Sequence, residues 1–329
     1  MSNLEKTDIR LGYVPLLDCI AILWAKHQGY FADLGLNVTL IKEASWASLR
    51  DRLAFGLLDA AHCLSAMLPA ATLGSDQLGI PFQTPLTLSN HPTSISLSQK
   101  LCFDLNITAH DSAESSAKKM TYAIHQQQNI RLAHVFQHSI HHYCLKEWLA
   151  LADPQIAQKH KLLTLPPPYM VEAISKQMID GFCVGEPWNI QAEIEGLSTT
   201  ICSSQQFIPQ IANKVLAVTQ EWATQHPNTL NALCQAIVKA QNDLRTLESI
   251  DDIWEILIKY NIIRFNCSKS VHVSEFHKIL NIIQNIVPQN IHPPVSDFEW
   301  IIHQMQKWDH LEMDENKIEM VAKQCIASL

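Results

Sequence analysis

"SLRDRLAFGLLDAAHCLSAM", residues 48–67, and "YMVEAISKQMIDGFCVGEPW", residues 169–188, decide the fold when set side by side. Each reads as an amphipathic helix, a short turn, an apolar residue followed by Asp (Leu58 then Asp59, Ile179 then Asp180), a short apolar strand and a break. A strand candidate precedes each: "NVTLI" at 37–41 and "KLLTL" at 161–165. Both halves therefore read β–α–β. The halves extend upstream alike. "DIRLGYV" (8–14) leads into helix-like "DCIAILWAKHQGYF", and "MTYAI" (120–124), taken as a strand, leads through a longer loop into "SIHHYCLKEWLALA". Strands alternating with helices predict parallel sheets, which bind ligands at the carboxyl ends of their strands. The expectation is an α/β chain of two lobes with a ligand cleft between them. Lobe I is expected to comprise 1–96 and 213–329, and lobe II 97–212.

After Lys214, "VLAVTQEW" reads as strand then helix, and from Asn228 the pattern is nearly all helical. Breaks are expected near 249–251, 267–271 and 288–294. "SDFE" (296–299) has capping-box spacing and opens a helix carrying Trp300 and Trp308. This tail is expected to pack around lobe I rather than form a third domain.

Bulk properties narrow the function. With 329 residues the chain exceeds one typical core. Its net charge of -8 and lack of any Lys/Arg run leave no electrostatic footprint for nucleic acid. Nine Cys, without a C-x-x-C, argue against a zinc ribbon or a disulfide framework and fit a reducing cytoplasm. The start, "MSNLEKTDIRLGYVPLLDC", holds no apolar signal core, and the uncharged stretch 77–99 carries three Pro, so a membrane span is rejected. A cytoplasmic protein is expected.

The loops at the strand ends carry the chemistry. Ser45 is a natural N-cap, which puts Trp46 at a helix start; Ser139 does the same for His141. Helix starts offer free N–H groups to an anion, and an indole N–H is a further donor. Each residue also has a plainer reading. Trp46 reads equally as a core staple, Lys214 as a solvated charge, and Glu186 before Pro187 as a helix-starting carboxylate. His141 and His142 point different ways on a helix. Glu43, Asp18 and Glu186 are candidates for a carboxylate pair whose spacing the sequence does not set. His62 and Cys63, adjacent on a strand, face opposite sides and make no dyad. There is no G-x-G-x-x-G, phosphate loop, G-x-S-x-G or H-E-x-x-H, so no enzyme is expected.

"KEASWASLRD", "LPPPYMVEAISKQMIDGFCVGEPWN" and "KVLAVTQEW" resemble the nitrate- and bicarbonate-binding proteins of the NrtA/CmpA type, which have a type II periplasmic-binding-protein fold. The similarity runs from about Leu11 to "EWIIHQMQKWDHL". Transport members carry a secretion signal and lipid anchor; a cytoplasmic branch, the nitrate/nitrite sensors of the NasS type, is the nearer resemblance. There the binding protein holds an RNA-binding antiterminator of the ANTAR type (NasT) inactive until the anion releases it. The alternative is the substrate-binding component of a nitrate or bicarbonate ABC transporter, with a permease as partner.

The resemblance implies an anion site of Trp46, Thr93, His141, Lys214 and Glu186. Asp18, Ser45, Ser94, Ser139, His142 and Trp188 would line the cleft. No cofactor and no metal are implied; the ligand is nitrate or nitrite. At the first crossover the family's amide side chain is replaced by the hydroxyl of Thr93. A buried nitrate needs a cation and several donors. Lys214 would supply the charge, and Glu186 would orient His141 or Lys214. The anion would favour a closed cleft, with the hinge near Ser96 and Lys214.

Overall fold

The structure, a computed structural model, describes residues 3–286 and 290–328. The chain forms two compact units. Unit 1 comprises Met1–His91, Ile211–Gln306 and Glu312–Leu329; unit 2 comprises Pro92–Gln210 and Lys307–Leu311.

Unit 1 begins with β1 (Asp8–Tyr13), α1 (Ile20–His27), α2 (Tyr30–Asp33), β2 (Asn37–Lys42), α3 (Trp46–Ala54), β3 (Ala60–Leu64), α4 (Met67–Thr72) and β4 (Phe82–Ser89). Unit 2 follows with β5 (Ser94–Ser98), α5 (Gln99–Leu105), α6 (Ala113–His125), β6 (Leu132–His134), α7 (Ile140–Ala150), α8 (Pro154–Lys159), β7 (Leu163–Thr164), α9 (Met170–Ser175), β8 (Gly181–Val184), α10 (Trp188–Ile194) and β9 (Ser198–Ser203). The chain then returns to unit 1 through β10 (Lys214–Thr219), α11 (Gln220–Gln225), α12 (Pro227–Arg245), α13 (Asp251–Lys259), α14 (Val273–Asn285), α15 (Val295–Asp309) and α16 (Glu315–Gln324).

The unit 1 sheet runs β2-β1-β3-β10-β4. β1 pairs parallel with β2 and β3, while β10 lies antiparallel to β3 and β4. All of β3, "AAHCL", is buried, as expected of a central strand covered by helices on both faces. The unit 2 sheet runs β7-β6-β8-β5-β9 with the same arrangement: three parallel strands, then β5 antiparallel to β8 and β9. β5 belongs wholly to this second sheet. The first boundary therefore falls at His91 rather than at residue 96, and the return falls at Ile211 rather than at 213. The helical tail joins unit 1 except for residues 307–311. The break expected at 288–294 lies partly outside the described residues.

The echo has a physical basis. Asp59 accepts from Arg10 N at 2.8 Å and Nε at 3.2 Å; Asp180 accepts from Arg131 N at 2.8 Å and Nε at 3.1 Å. In each unit this clamp locks the first parallel strand to the central one. The clamp also corrects the strand expected at 120–124. Those residues belong to α6, whose buried positions Ala113, Ser116, Ala117, Met120 and Thr121 recur at helical spacing. The true counterpart of β1 is β6, and "IRLAHV" (130–135) repeats "IRLGYV" (9–14). Arg131 follows Arg10, and Asp180 follows Asp59, by the same number of residues.

Candidate functional site

In unit 1 four of the described elements converge on one buried cluster. β1 hands the chain to a 3-10 turn, Leu17–Cys19, which carries Asp18. Ser45 caps α3, its side chain accepting from Ser48 N at 3.1 Å, and so sets Trp46 as the first helical residue. Glu43 fixes that helix further by accepting from Ser48 Oγ at 2.6 Å and Arg52 Nη1 at 2.7 Å. This carboxylate is spent on structure and forms no catalytic pair. β3 places His62 and β10 opens with Lys214, in register with Leu64.

Lys214 and His62 are wholly buried and Trp46 is 1% exposed. Lys214 Nζ lies 3.1 Å from Asp18 Oδ2 and donates to Asn213 Oδ1 at 2.8 Å. His62 Nε2 lies 2.8 Å from Asp18 Oδ1, off the line of a well-directed hydrogen bond. The Trp46 ring stands 5.4 Å from the His62 ring and 5.7 Å from Lys214 Nζ. Breaking a buried ion pair by removing one partner is costly, so Asp18 and Lys214 hold each other in place in this buried site. Burial alone would raise the Asp18 carboxyl, but Lys214 and His62 outweigh it and hold the group below its ordinary value. Burial pushes His62 below its ordinary value against the pull of Asp18.

Besides the facing Asp18 Oδ1 and His62 Nε2, three further polar atoms here are buried with no hydrogen-bond partner: Trp46 Nε1, His62 Nδ1 and Ser65 Oγ. Ser65 directly follows Leu64, the residue opposite Lys214. Unsatisfied buried polar groups cost about 1–3 kcal/mol each, so their grouping around one cation marks a place that suits an oxyanion. Trp46 opens a helix and Lys214 opens a strand, as expected, while His62, considered only as making no dyad with Cys63, stands in the cluster beside Asp18.

In unit 2, Ser139 caps α7, accepting from His142 N at 3.1 Å, and puts the fully buried His141 in the first turn. His142 is packed against His134, ring to ring at 4.7 Å, and lies 3.9 Å from Asp309. Thr93, also buried, donates to Val184 O at 3.3 Å and touches Cys183 Sγ at 3.3 Å. Its hydroxyl hydrogen is therefore engaged within unit 2. Ser94 opens β5 opposite Val184. Glu186, whose bond to Pro187 is cis, accepts from Ile190 N at 3.2 Å in the first turn of α10. Trp188 opens α10 and is buried.

The two sheets put Thr93 and Lys214 in equivalent places. Lys214 immediately precedes Val215, which faces Cys63; Thr93 immediately precedes Ser94, which faces Val184, the counterpart of Cys63 in the echo. By the same echo Ser139 stands where Asp18 stands, and Cys183 where His62 stands. The ionisable trio of Asp18, His62 and Lys214 is thus a feature of unit 1, answered in unit 2 by Ser139, Cys183 and Thr93. No group of three or more metal-ligating side chains exists among the described residues. No described helix is long and apolar enough to cross a membrane.

Two α/β units with this strand order have the fold of the periplasmic binding proteins. Superposition on the crystal structure of the periplasmic nitrate-binding protein NrtA from Synechocystis covers 98% of this chain and 86% of that one, with TM-score 0.81 at 22% identity. The periplasmic aliphatic sulphonate-binding protein SsuA from Escherichia coli gives 0.64 at 13% identity, covering 98% of each chain. Residues 2–258 match the NMT1-like family, and the chain belongs to that family. Among curated relatives, the bicarbonate transport ATP-binding protein CmpC of Synechocystis is 30% identical over 98% of this chain and 49% of its own length. The nitrate/nitrite binding protein NrtA of Nostoc is 28% identical over 77% of this chain and 58% of its own. The chain spans about half the length of the curated relatives it matches.

Proposed function

We propose that the protein binds a small inorganic oxyanion, nitrate or nitrite, at the unit 1 cluster and reports its presence to a protein partner. One observation carries the binding: a fully buried Lys214 surrounded by polar groups that lack acceptors, Trp46 Nε1 and Ser65 Oγ among them. Lys214 supplies the charge and Trp46 a directional donor. The relatives named as nitrate/nitrite binding proteins support the ligand class.

The finer reading is a cytoplasmic sensor that sequesters an ANTAR-type, RNA-binding antiterminator and releases it when the anion binds. Nine free thiols, eight of them buried, fit a reducing compartment, and an acidic chain leaves the RNA to the partner. Coupling is reciprocal: nitrate weakens the partner by the factor that the partner weakens nitrate. The names of the NrtA relatives favour a second reading, the substrate-binding component of a nitrate or bicarbonate transporter.

Calorimetry and thermal shift with nitrate, nitrite, hydrogencarbonate and sulfate test the site. Nitrate or nitrite is expected to bind. Trp46→Phe, which keeps the ring and removes the donor, weakens binding about tenfold, the worth of one net hydrogen bond. Lys214→Met abolishes it. Binding unchanged in both variants puts the site elsewhere. Capture from a lysate without nitrate, followed by elution with nitrate, separates the two readings. An RNA-binding protein in the eluate supports the sensor; a permease supports the transporter.

A further inference from the structure

The cluster is electrically balanced before any ligand arrives. Lys214 carries one positive charge and Asp18, 3.1 Å away, one negative charge. A dry, neutral site gives a monoanion no net attraction, and burying the anion uncompensated is costly. The base that could restore the balance is already in contact: His62, with Nε2 2.8 Å from Asp18 and Nδ1 buried without a hydrogen-bond partner. The charged and titratable groups around it are few. Asp18 faces it from the turn after β1 and Lys214 from β10; the Trp46 ring lies against it from α3. His91, just beyond β4, feels the same Asp18 and Lys214 charges, and burial pushes it below its ordinary value. The Cys63 thiol, raised by burial to about 12, stays neutral.

We propose that the anion enters this cluster together with one proton, taken up by His62. This rests on the reading that nitrate or nitrite binds beside Lys214. The proton comes from solvent and goes to Nδ1; no bond other than this N–H forms. The occupied site then holds two cations, Lys214 and imidazolium, against two anions, Asp18 and the ligand, and stays neutral. Asp18 is the positioning residue that makes this necessary. It neutralises Lys214 in the empty site and receives the imidazolium Nε2–H in the filled one. Burial disfavours charge on His62 in the empty site, so the proton arrives with the ligand and not before it. The device therefore reads nitrate and acidity together, and nitrate affinity drops as pH rises.

Calorimetric titration of the wild-type protein with sodium nitrate, in buffers of different ionisation enthalpy at pH 6 to 8.5, counts the protons directly. About one proton is expected to be taken up per nitrate bound, and the dissociation constant should rise about tenfold per pH unit across that range. His62→Gln should bind weakly with no uptake and no slope. Asp18→Asn should bind without proton uptake and, at pH 8, more tightly than wild type. Should either variant fail to fold, the wild-type count decides alone. Nitrate binding with no proton uptake, or uptake that survives in His62→Gln, overturns the proposal and leaves the anion site standing. Absence of binding by any anion removes both.

Discussion

At the residue scale the two halves of the chain solve the same problem with the same chemistry. Arg10 with Asp59, and Arg131 with Asp180, tie neighbouring parallel strands through a carboxylate that takes both a backbone and a guanidinium N–H. Gly181, next in sequence to the second clamp, opens β8 where a Cβ would meet Leu97 Cδ2 at 2.5 Å and Ser96 O at 2.9 Å. The leucine contact is the far end of a flexible side chain, but the carbonyl belongs to a paired strand and is held. Gly181→Ala is expected to lose about 1–3 kcal/mol, read as a lowered urea midpoint. A change within about 0.3 kcal/mol would show that β5 yields. Trp46 and Lys214 were legible because each sits at an element start that sequence pattern fixes. His62 was not, because a histidine inside a strand has no sequence signature separating a satisfied core residue from one half of an ion pair. That difference lies in Asp18, which is distant in sequence and close in space.

At the scale of elements, two helices with candidate residues in their first turns are held by serine caps: Ser45 on α3 and Ser139 on α7. Each cap satisfies one orphan N–H in the first turn, so Ser45→Ala and Ser139→Ala should each cost about 1 kcal/mol in thermal or urea unfolding. Ser45→Ala should also weaken anion binding, since the cap fixes where Trp46 points. Equal affinity would mean that Glu43, with its bonds to Ser48 and Arg52, suffices to hold α3. Most elements follow from periodicity: β1, β2, β3, β8 and β10 fall where alternating or continuous apolar runs place them. The strand expected at 120–124 fails for a stated reason. "MTYAI" is β-prone locally, but Ala113, Ser116 and Ala117 upstream complete a helical face, and tertiary packing overrides local propensity. The three-residue β6 is too short to carry a period of its own. Only its likeness to "IRLGYV" could have found it.

For the whole molecule, buried histidines set an acid limit. Burial lowers His134 from 6.5 to about 4, against a bond to Phe136 O at 2.8 Å. His62, His91, His142 and His160 shift the same way, burial leading in each. The sign is unambiguous. Below the ordinary histidine value the unfolded chain takes up protons that the folded chain refuses, so stability is greatest above pH 6.5 and falls as pH drops towards 4. For His134 alone the loss is on the order of 3 kcal/mol. Asp18 reinforces it at lower pH. Its depressed value contributes stability above the ordinary carboxylate range, lost as pH falls below that range. Urea midpoints are expected to fall steadily from pH 7 to 4.5, and less steeply in His134→Asn. Parallel curves for the two proteins would show that His134 titrates alike in both states.

The return of the chain to unit 1 carries a consequence for how such a molecule can be rearranged. Asn213 N donates to Ser89 O at 2.8 Å, and Asn213 Nδ2 donates to His91 O at 3.2 Å. The points where the chain leaves unit 1 and rejoins it are therefore side by side, stitched by the residue next to Lys214. In the vocabulary of genes, the codons for 92–210 form an in-frame cassette between two fixed ends. Only the short 307–311 segment ties that cassette back to the rest by another route. Exchange of the cassette between relatives would leave β4, β10 and the Lys214 cluster in place.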